Sequence, residues 1–355
     1  MSNKVVINST LRPGSYVADG RFYLMRKIGA GSHGDVFLSK DTTTDEEIAV
    51  KLESWDTPMM CLQHESNVYK ILEGGIGFPT ARYFGQESRH NVLVIDMLGS
   101  SLEELFSKCG FRFSLKTVLM IADQLMDRIQ YLHSKNFIHR SIKPENFVIG
   151  RNGLYSTIYM IDFGNAKCYR NPHSGKHIAF KEYRELGLNA CHSKHQSIGA
   201  LCRMERSRRD DLESLGYMLT YFIRGKLPWE EITDPAELKN RKLTISLDEL
   251  CEGCPEEFAK YLAYCRTLGF EEDPDYEYLR QLFRTVSNRL GFKYDYQFDW
   301  VALQPVEKRE ANNNTLTTTT ATATAKFMFN QKLLSEQNFL PSPVAVAVDG
   351  DIHQR

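Results

Sequence analysis

Three groups of residues in this sequence are of the types, and in the order, that handle phosphate. Gly29-Ala30-Gly31-Ser32-His33-Gly34-Asp35-Val36 fits GxGxxGxV. Glycines at that spacing let backbone N–H groups approach phosphate oxygens with no side chain in the way. Lys51, at the end of Ile48-Ala49-Val50-Lys51, is a cation that can neutralise nucleotide α- and β-phosphates if an acid holds it in place. Glu65, downstream, is its natural partner. Further on, Phe137-Ile138-His139-Arg140-Ser141-Ile142-Lys143-Pro144-Glu145-Asn146-Phe147 is followed by Ile161-Asp162-Phe163-Gly164. Asn146 and Asp162 supply hard oxygen ligands suited to Mg²⁺ on nucleotide phosphates, and Lys143 can meet a γ-phosphate. Each group alone has a plain structural reading: a tight glycine hairpin, or a solvated surface charge. Their order and separation together are specific.

The elements that must position these groups are legible from periodicity. Residues 21–53 alternate apolar and polar positions around the glycine cluster, which predicts a hairpin with a glycine-rich connection and then a strand, IAVKLES. Dinucleotide folds share GxGxxG but set it between a strand and a helix; here VFLSK, a strand, follows it. CLQHESNVYKIL reads as a helix, GGIGFP as a break and NVLVIDML as a buried strand. A long helix is predicted from Ser114, a good N-cap, with Val118, Ile121, Leu125, Ile129 and Leu132 on one face, and another carries Leu212, Leu215, Leu219 and Phe222. Strands in the first quarter and helices afterwards imply two lobes, with the segment after Asp96 as the hinge.

The 355 residues are 42% hydrophobic, 11% aromatic and 25% charged, an ordinary globular composition. A formal net charge of −1 gives no global field toward nucleic acid or anionic membrane. No run approaches the about 18 consecutive apolar residues of a membrane helix, and the start lacks the pattern of a secretory signal. The expectation is a cytoplasmic or nuclear monomer that binds neither nucleic acid nor membrane, its 8 cysteines reduced. After about Pro305 the sequence turns low-complexity, NNNTLTTTTATATA, and reads as disordered tail. Cys191, His192, His195 and Cys202 match no common zinc spacing, Cys251 and Cys254 form a CxxC without a second pair, and Asn313-Asn314-Thr315 is a sequon without meaning in the cytosol.

On these residues the chain resembles the casein kinase I family of Ser/Thr protein kinases over residues 18–300. The resemblance extends to HESNVYKILEGGIGFP (His64 to Pro79), LGSSLEELF (Leu98 to Phe106), SRRDDLESLGY (Ser207 to Tyr217), PDYEYLRQLFR (Pro274 to Arg284) and YDYQFDW ending at Trp300. It implies an α+β, bilobal protein-kinase fold: an extension over 1–17, a kinase domain over 18–300 with a strand-rich N-lobe (18–95) and a helical C-lobe (99–300), and a tail over 301–355. ATP with Mg²⁺ would be the cofactor, and protein substrates or binding partners would meet the same face. Gly29, Gly31, Ser32, Gly34, Val36, Lys51 and Glu65 would hold the nucleotide, with Ile95 beside adenine and Asp96 to Leu98 as the hinge. Asn146 and Asp162 would carry the metal, and Asp211 would tie down the catalytic loop.

Three departures qualify what the resemblance implies. The family's catalytic loop reads His-Arg-Asp, and here it reads His139-Arg140-Ser141. That Asp orients or accepts the proton of the attacking hydroxyl; a serine is a poor base, and losing a positioned base costs ~10²–10⁴ in rate. The family's Thr-Gly-Thr-Ala-Arg-Tyr-Ala-Ser stretch, which shapes the substrate platform, corresponds to Asn189 to Ser197, without the Thr that contacts the Asp and with Lys194 as the only candidate for the phosphate-gripping Arg. The acids Glu230, Glu231, Asp234 and Glu237 replace a basic cluster after Leu227-Pro228-Trp229. Two readings stay open: a pseudokinase that binds nucleotide and partners, and a slowed but working Ser/Thr kinase in phosphorylation signalling.

Overall fold

The computed structural model describes residues 11–31, 34–58, 60–183 and 194–303. A six-stranded antiparallel sheet comes first: β1 (Tyr16–Val17), β2 (Phe22–Gly31), β3 (Gly34–Asp41), β4 (Glu47–Ser54), then helix α1 (Leu62–Ile71), β5 (Ala81–Glu87) and β6 (His90–Asp96), in spatial order β1-β2-β3-β4-β6-β5. Val17, Phe22, Leu24, Phe37, Ile48, Val50, Leu52, Val92 and Val94 form its core. Most lie at alternate positions, as strands with one buried face require. The sheet begins ahead of residue 18, since Tyr16 and Val17 pair with Tyr23 and Phe22 and Val17 is fully buried.

The rest is mainly helical: α2 (Leu102–Lys108), α3 (Leu115–Ser134), the short strands β7 (Phe137–Ile138), β8 (Phe147–Ile149), β9 (Ile158–Met160) and β10 (Lys167–Cys168), then α4 (Ile198–Leu201), α5 (Arg208–Arg224), α6 (Pro235–Thr244), α7 (Leu247–Leu250), α8 (Glu256–Thr267) and α9 (Tyr276–Arg289). The strand-rich lobe and the helical lobe are those of the protein-kinase fold. The predicted apolar faces are the buried ones: Val118, Ile121, Leu125, Ile129 and Leu132 of α3, and Leu212, Leu215, Leu219 and Phe222 of α5, are all fully buried. Ser114 caps α3 by accepting from Thr117 N–H at 3.2 Å. Its own N–H and hydroxyl donate to Asp299 at 2.6 and 2.7 Å. Trp300 stacks on Phe298 at 4.4 Å and meets Phe113 at 5.4 Å. Residues 298–300 therefore seal the base of the helical lobe, and a chain ending after residue 305 keeps every one of these contacts. We expect such a truncation to melt within about 1 °C of the full chain in a thermal scan; a drop of several degrees would show that residues beyond 305 contribute to the fold.

Candidate active site

The site lies where the two lobes meet. In the β2–β3 hairpin the register is Gly29↔Val36, Ala30↔Asp35 and Gly31↔Gly34, with Ser32 outside the described residues. Gly34 is required by the sheet itself. Its φ is +113°, and a Cβ there would stand 2.0 Å from the Leu52 carbonyl oxygen on β4. At Gly29 a Cβ would meet only Val36, at an ordinary 3.7 Å, so packing alone does not demand glycine there.

Lys51 sits on β4 opposite Val36 and Leu93. Its Nζ is 2.6 Å from Glu65 on α1 and 2.9 Å from Asp162. Burial alone would pull the Lys51 pKa down, but the adjacent Asp162 and Glu65 carboxylates raise it above its ordinary value, so it stays a cation. Sequence reasoning missed what places Glu65. Glu53, fully buried at the end of β4, accepts from the N–H groups of Cys61 (2.6 Å) and Leu62 (3.1 Å) and from Asn91 Nδ2 (2.8 Å). It thereby satisfies the exposed donors at the start of α1, whose N-cap Cys61 makes no side-chain cap. At its other side α1 meets the Asp162 segment: His64 Nε2 lies 2.8 Å from the Ala166 carbonyl, and the Tyr69 hydroxyl accepts from Asp162 N–H at 3.2 Å. Phe163, fully buried, packs edge-on against Tyr69 and close to His139.

The catalytic-loop segment is held from below. Asp211 on α5 accepts from the N–H groups of His139 (2.7 Å) and Arg140 (2.8 Å), and from His133 Nε2 (3.0 Å). His133 is buried and its pKa is lowered, chiefly by desolvation, so the ring is neutral. Facing a carboxylate, Nε2 must then carry the proton, and Nδ1 accepts from the Tyr276 hydroxyl at 2.6 Å. Arg140 adopts φ +64°, an unfavourable left-handed conformation for a long side chain, fixed by Asp211, by its own Nε on the Asn165 carbonyl (2.6 Å) and by Arg206 on its carbonyl (2.8 Å).

Ser141 follows and is buried. Asn146 Nδ2 donates to the Ser141 carbonyl at 2.8 Å and to its Oγ at 3.2 Å. With its amide nitrogen engaged in this way, Oδ1 is the Asn146 side-chain atom of the right chemistry for a hard cation. Ile161 N–H donates to the Asn146 carbonyl (3.0 Å), which clamps the residue before Asp162 against Asn146. One carboxylate and one amide oxygen brought together in this way fit Mg²⁺, a hard cation that is held by few protein ligands and keeps other oxygens. Lys143, half-buried, follows Ser141 on the same loop. At the hinge Ile95 pairs with Ala49, and Leu98 is half-buried. The Asp96 carboxylate points toward the start of β5, accepting from Arg82 Nε (2.7 Å) and Thr80 N–H (2.9 Å).

Of the Asn189–Ser197 segment only Lys194 onward lies within the described residues. Lys194 pairs with Glu230 and lies 3.8 Å over the Tyr221 ring. Two of the acids read as an acidic surface also have local structural roles: Asp234 caps α6 by accepting from Glu237 N–H (2.7 Å), and Glu230 accepts from Leu227 N–H (3.2 Å). Of the zinc candidates, Cys191 and His192 fall outside the described residues, and among those described no group of three or more His, Cys, Asp or Glu side chains is placed to hold a metal ion. Burial pushes the Cys251 and Cys254 thiols up to about 11 and about 12, which makes them poor nucleophiles.

Comparison with known families agrees with this geometry. The protein kinase domain model matches residues 22–257, well over half of the chain. The chain belongs to the protein kinase domain family, and with membership go ATP, a divalent metal and protein substrates.

Proposed function

We propose that this is a casein kinase I-type protein kinase domain that binds Mg²⁺–ATP and transfers its γ-phosphate poorly, acting as a pseudokinase or regulatory binding module. The observation that carries nucleotide binding is the Lys51–Glu65–Asp162 triad, in which one cation is shared by two carboxylates on three different elements. In this reading Gly29, Gly31, Ser32, Gly34 and Val36 cover the phosphates, Ile95 and the hinge through Leu98 receive adenine, and Asn146 and Asp162 hold the metal. Mg²⁺ held there would supply charge neutralisation at the nucleotide phosphates. Impaired transfer rests on Ser141, whose hydroxyl carries no charge at neutral pH and cannot act as the base that an Asp provides. The intact triad also keeps a second reading in view, a slow Ser/Thr kinase, because phosphoryl transfer depends mainly on positioning and charge neutralisation. A kinase domain that includes β1 and runs to about residue 300, the tail beyond it, and residence in cytoplasm or nucleus belong to the same proposal; the described cysteines are all free thiols, consistent with a reducing compartment.

Nucleotide at ~100 times its dissociation constant is expected to stabilise the wild-type fold by about 2.7 kcal/mol. Lys51→Met removes the phosphate-facing cation and leaves Glu65 and Asp162 facing each other, so most of that gain should vanish. Melting curves with and without Mg²⁺–ATP measure it. An equal shift in both chains would remove Lys51 from the nucleotide site, and no shift in the wild type would refute nucleotide binding.

A further inference from the structure

A lysine head is buried beneath the turn that leads into α4. Lys242, near the end of α6, exposes no surface, and it is the only buried residue of that helix. Its Nζ donates to the carbonyls of Lys194 (2.9 Å) and Gln196 (2.6 Å) and lies 4.5 and 4.7 Å from the ring centroids of Trp229 and Tyr217. Trp229 Nε1–H donates to the same Lys194 carbonyl at 2.8 Å. Had α6 only to be anchored, an apolar side chain would do so without desolvating an amine. The penalty is visible in the Lys242 pKa, which burial lowers to about 7.

The carbonyls it holds belong to a segment that borders the catalytic loop. Gln196 and Ser197 line a small cavity together with Arg140, Ser141 and Arg206. Ser197 accepts from Ala200 N–H to cap α4 (3.2 Å) and donates to Asp210 at 2.6 Å. The segment is thus fixed at its end by Ser197, and at its start by the Lys194–Glu230 pair, by the His195 ring on Tyr221 (5.2 Å) and by the two main-chain carbonyls that Lys242 holds, one of them shared with Trp229.

We propose that Lys242 is a positioning residue for the protein substrate: it sets the 194–197 segment as one wall of the substrate site beside Ser141, without touching the nucleotide. The inference rests on the kinase-domain reading of that site. It predicts a local effect, separable from nucleotide binding and from rate.

The test uses the full chain with Lys242→Met and, because that variant removes a buried polar anchor and could fail to fold, Trp229→Phe. The second change deletes one donor to the Lys194 carbonyl and keeps an aromatic face for Lys242. Amide hydrogen exchange over residues 195–201 should accelerate at least tenfold in Lys242→Met and about threefold in Trp229→Phe, with the amides of Leu212 to Phe222 unchanged. The dissociation constant for dephosphorylated casein, the probe substrate, should rise at least tenfold in Lys242→Met, and that for Mg²⁺–ATP should stay within twofold. Unchanged exchange over 195–201, or equal acceleration throughout α5 and α8, overturns the proposal. If Lys242→Met does not fold, Trp229→Phe decides by the same criteria. A wild-type chain that binds nucleotide and not casein overturns the substrate-wall assignment, whereas one that binds no nucleotide refutes the kinase-site reading and leaves the exchange result to stand by itself.

Discussion

Replacing Asp211 with alanine is expected to cost roughly 3–5 kcal/mol of folding stability, the range for removing one partner from a buried charged network. Asp211 is almost wholly buried and is the acceptor for two main-chain N–H groups and one imidazole. Its pKa is lowered: burial acts to raise it, but the His133 hydrogen bond and the surrounding donors outweigh that. Without the carboxylate, the N–H groups of His139 and Arg140 face a dry interior, and each unsatisfied donor costs about 1–3 kcal/mol. His133 loses the acceptor that fixes its tautomer, which weakens its bond to Tyr276 on α9 as well. A domain of this size loses about 2–4 °C per kcal/mol, so the melting midpoint should fall by roughly 10 °C. The left-handed Arg140 would relax too, since Asp211 is one of the groups that hold it there. Asp56→Ala breaks only the exposed pair with Arg89 and should leave the midpoint unchanged, as isolated surface pairs contribute little. Equal midpoints for Asp211→Ala and wild type would show that the loop does not depend on this anchor.

Much of this architecture could be read before any coordinates, for identifiable reasons. Helices α3 and α5 announce themselves because each buries a long apolar face at 3.6-residue spacing, and Ser114 marks a start that the structure keeps. The Lys51–Glu65 pair was legible because Lys51 closes the apolar run Ile48-Ala49-Val50 and Glu65 lies in the helix that follows that strand. Other features were hidden because they depend on contacts between distant residues. Nothing around Glu53 separates it from a surface acid; its burial follows from β4 ending beneath the first turn of α1. Glycine at position 34 matches a phosphate-loop pattern, yet the nearest demand for it comes from the Leu52 carbonyl one strand away. Asp96 fell within the expected hinge, but the direction of its carboxylate was set by Arg82 on β5 and Thr80 just before it, outside any motif. Glu230 and Asp234 read as acidic surface, and their local bonds, to Leu227 N–H and to the first turn of α6, appear only once the turn around Trp229 and the start of α6 are known. Lys242 is invisible for the same reason: a lysine in a polar helix ordinarily faces water, and only the packing of α6 against α4 turns it inward.

Restoring an aspartate at position 141 is expected to raise peptide phosphorylation by about tenfold or less, well short of the ~10²–10⁴ that a positioned base contributes. A carboxylate at that position needs a donor to aim it at the incoming hydroxyl. Several of the described donors around it already have partners. Ser197 donates to Asp210 at 2.6 Å, Arg206 to the Arg140 carbonyl at 2.8 Å, and Lys194 pairs with Glu230. Asn146 is the group in reach, at 3.2 Å from the Ser141 Oγ. A bond from Asn146 would draw the new carboxylate toward a metal ligand rather than toward substrate. A misplacement of even ~1 Å can cost ~10²-fold in a positioned reaction. The added negative charge beside ATP phosphates would also oppose the charge neutralisation supplied by Lys51 and the metal. Substantial activity should therefore require a second change, a family-like sequence over 189–197 that brings its own donor to the carboxylate. Four chains decide it: wild type, Ser141→Asp, the segment replacement, and both together, matched for melting midpoint and for Mg²⁺–ATP affinity. The combined chain should exceed the product of the two single gains, because each change supplies what the other lacks. Full activity from Ser141→Asp alone would refute the two-defect account, and robust transfer by the wild type would refute the pseudokinase reading itself.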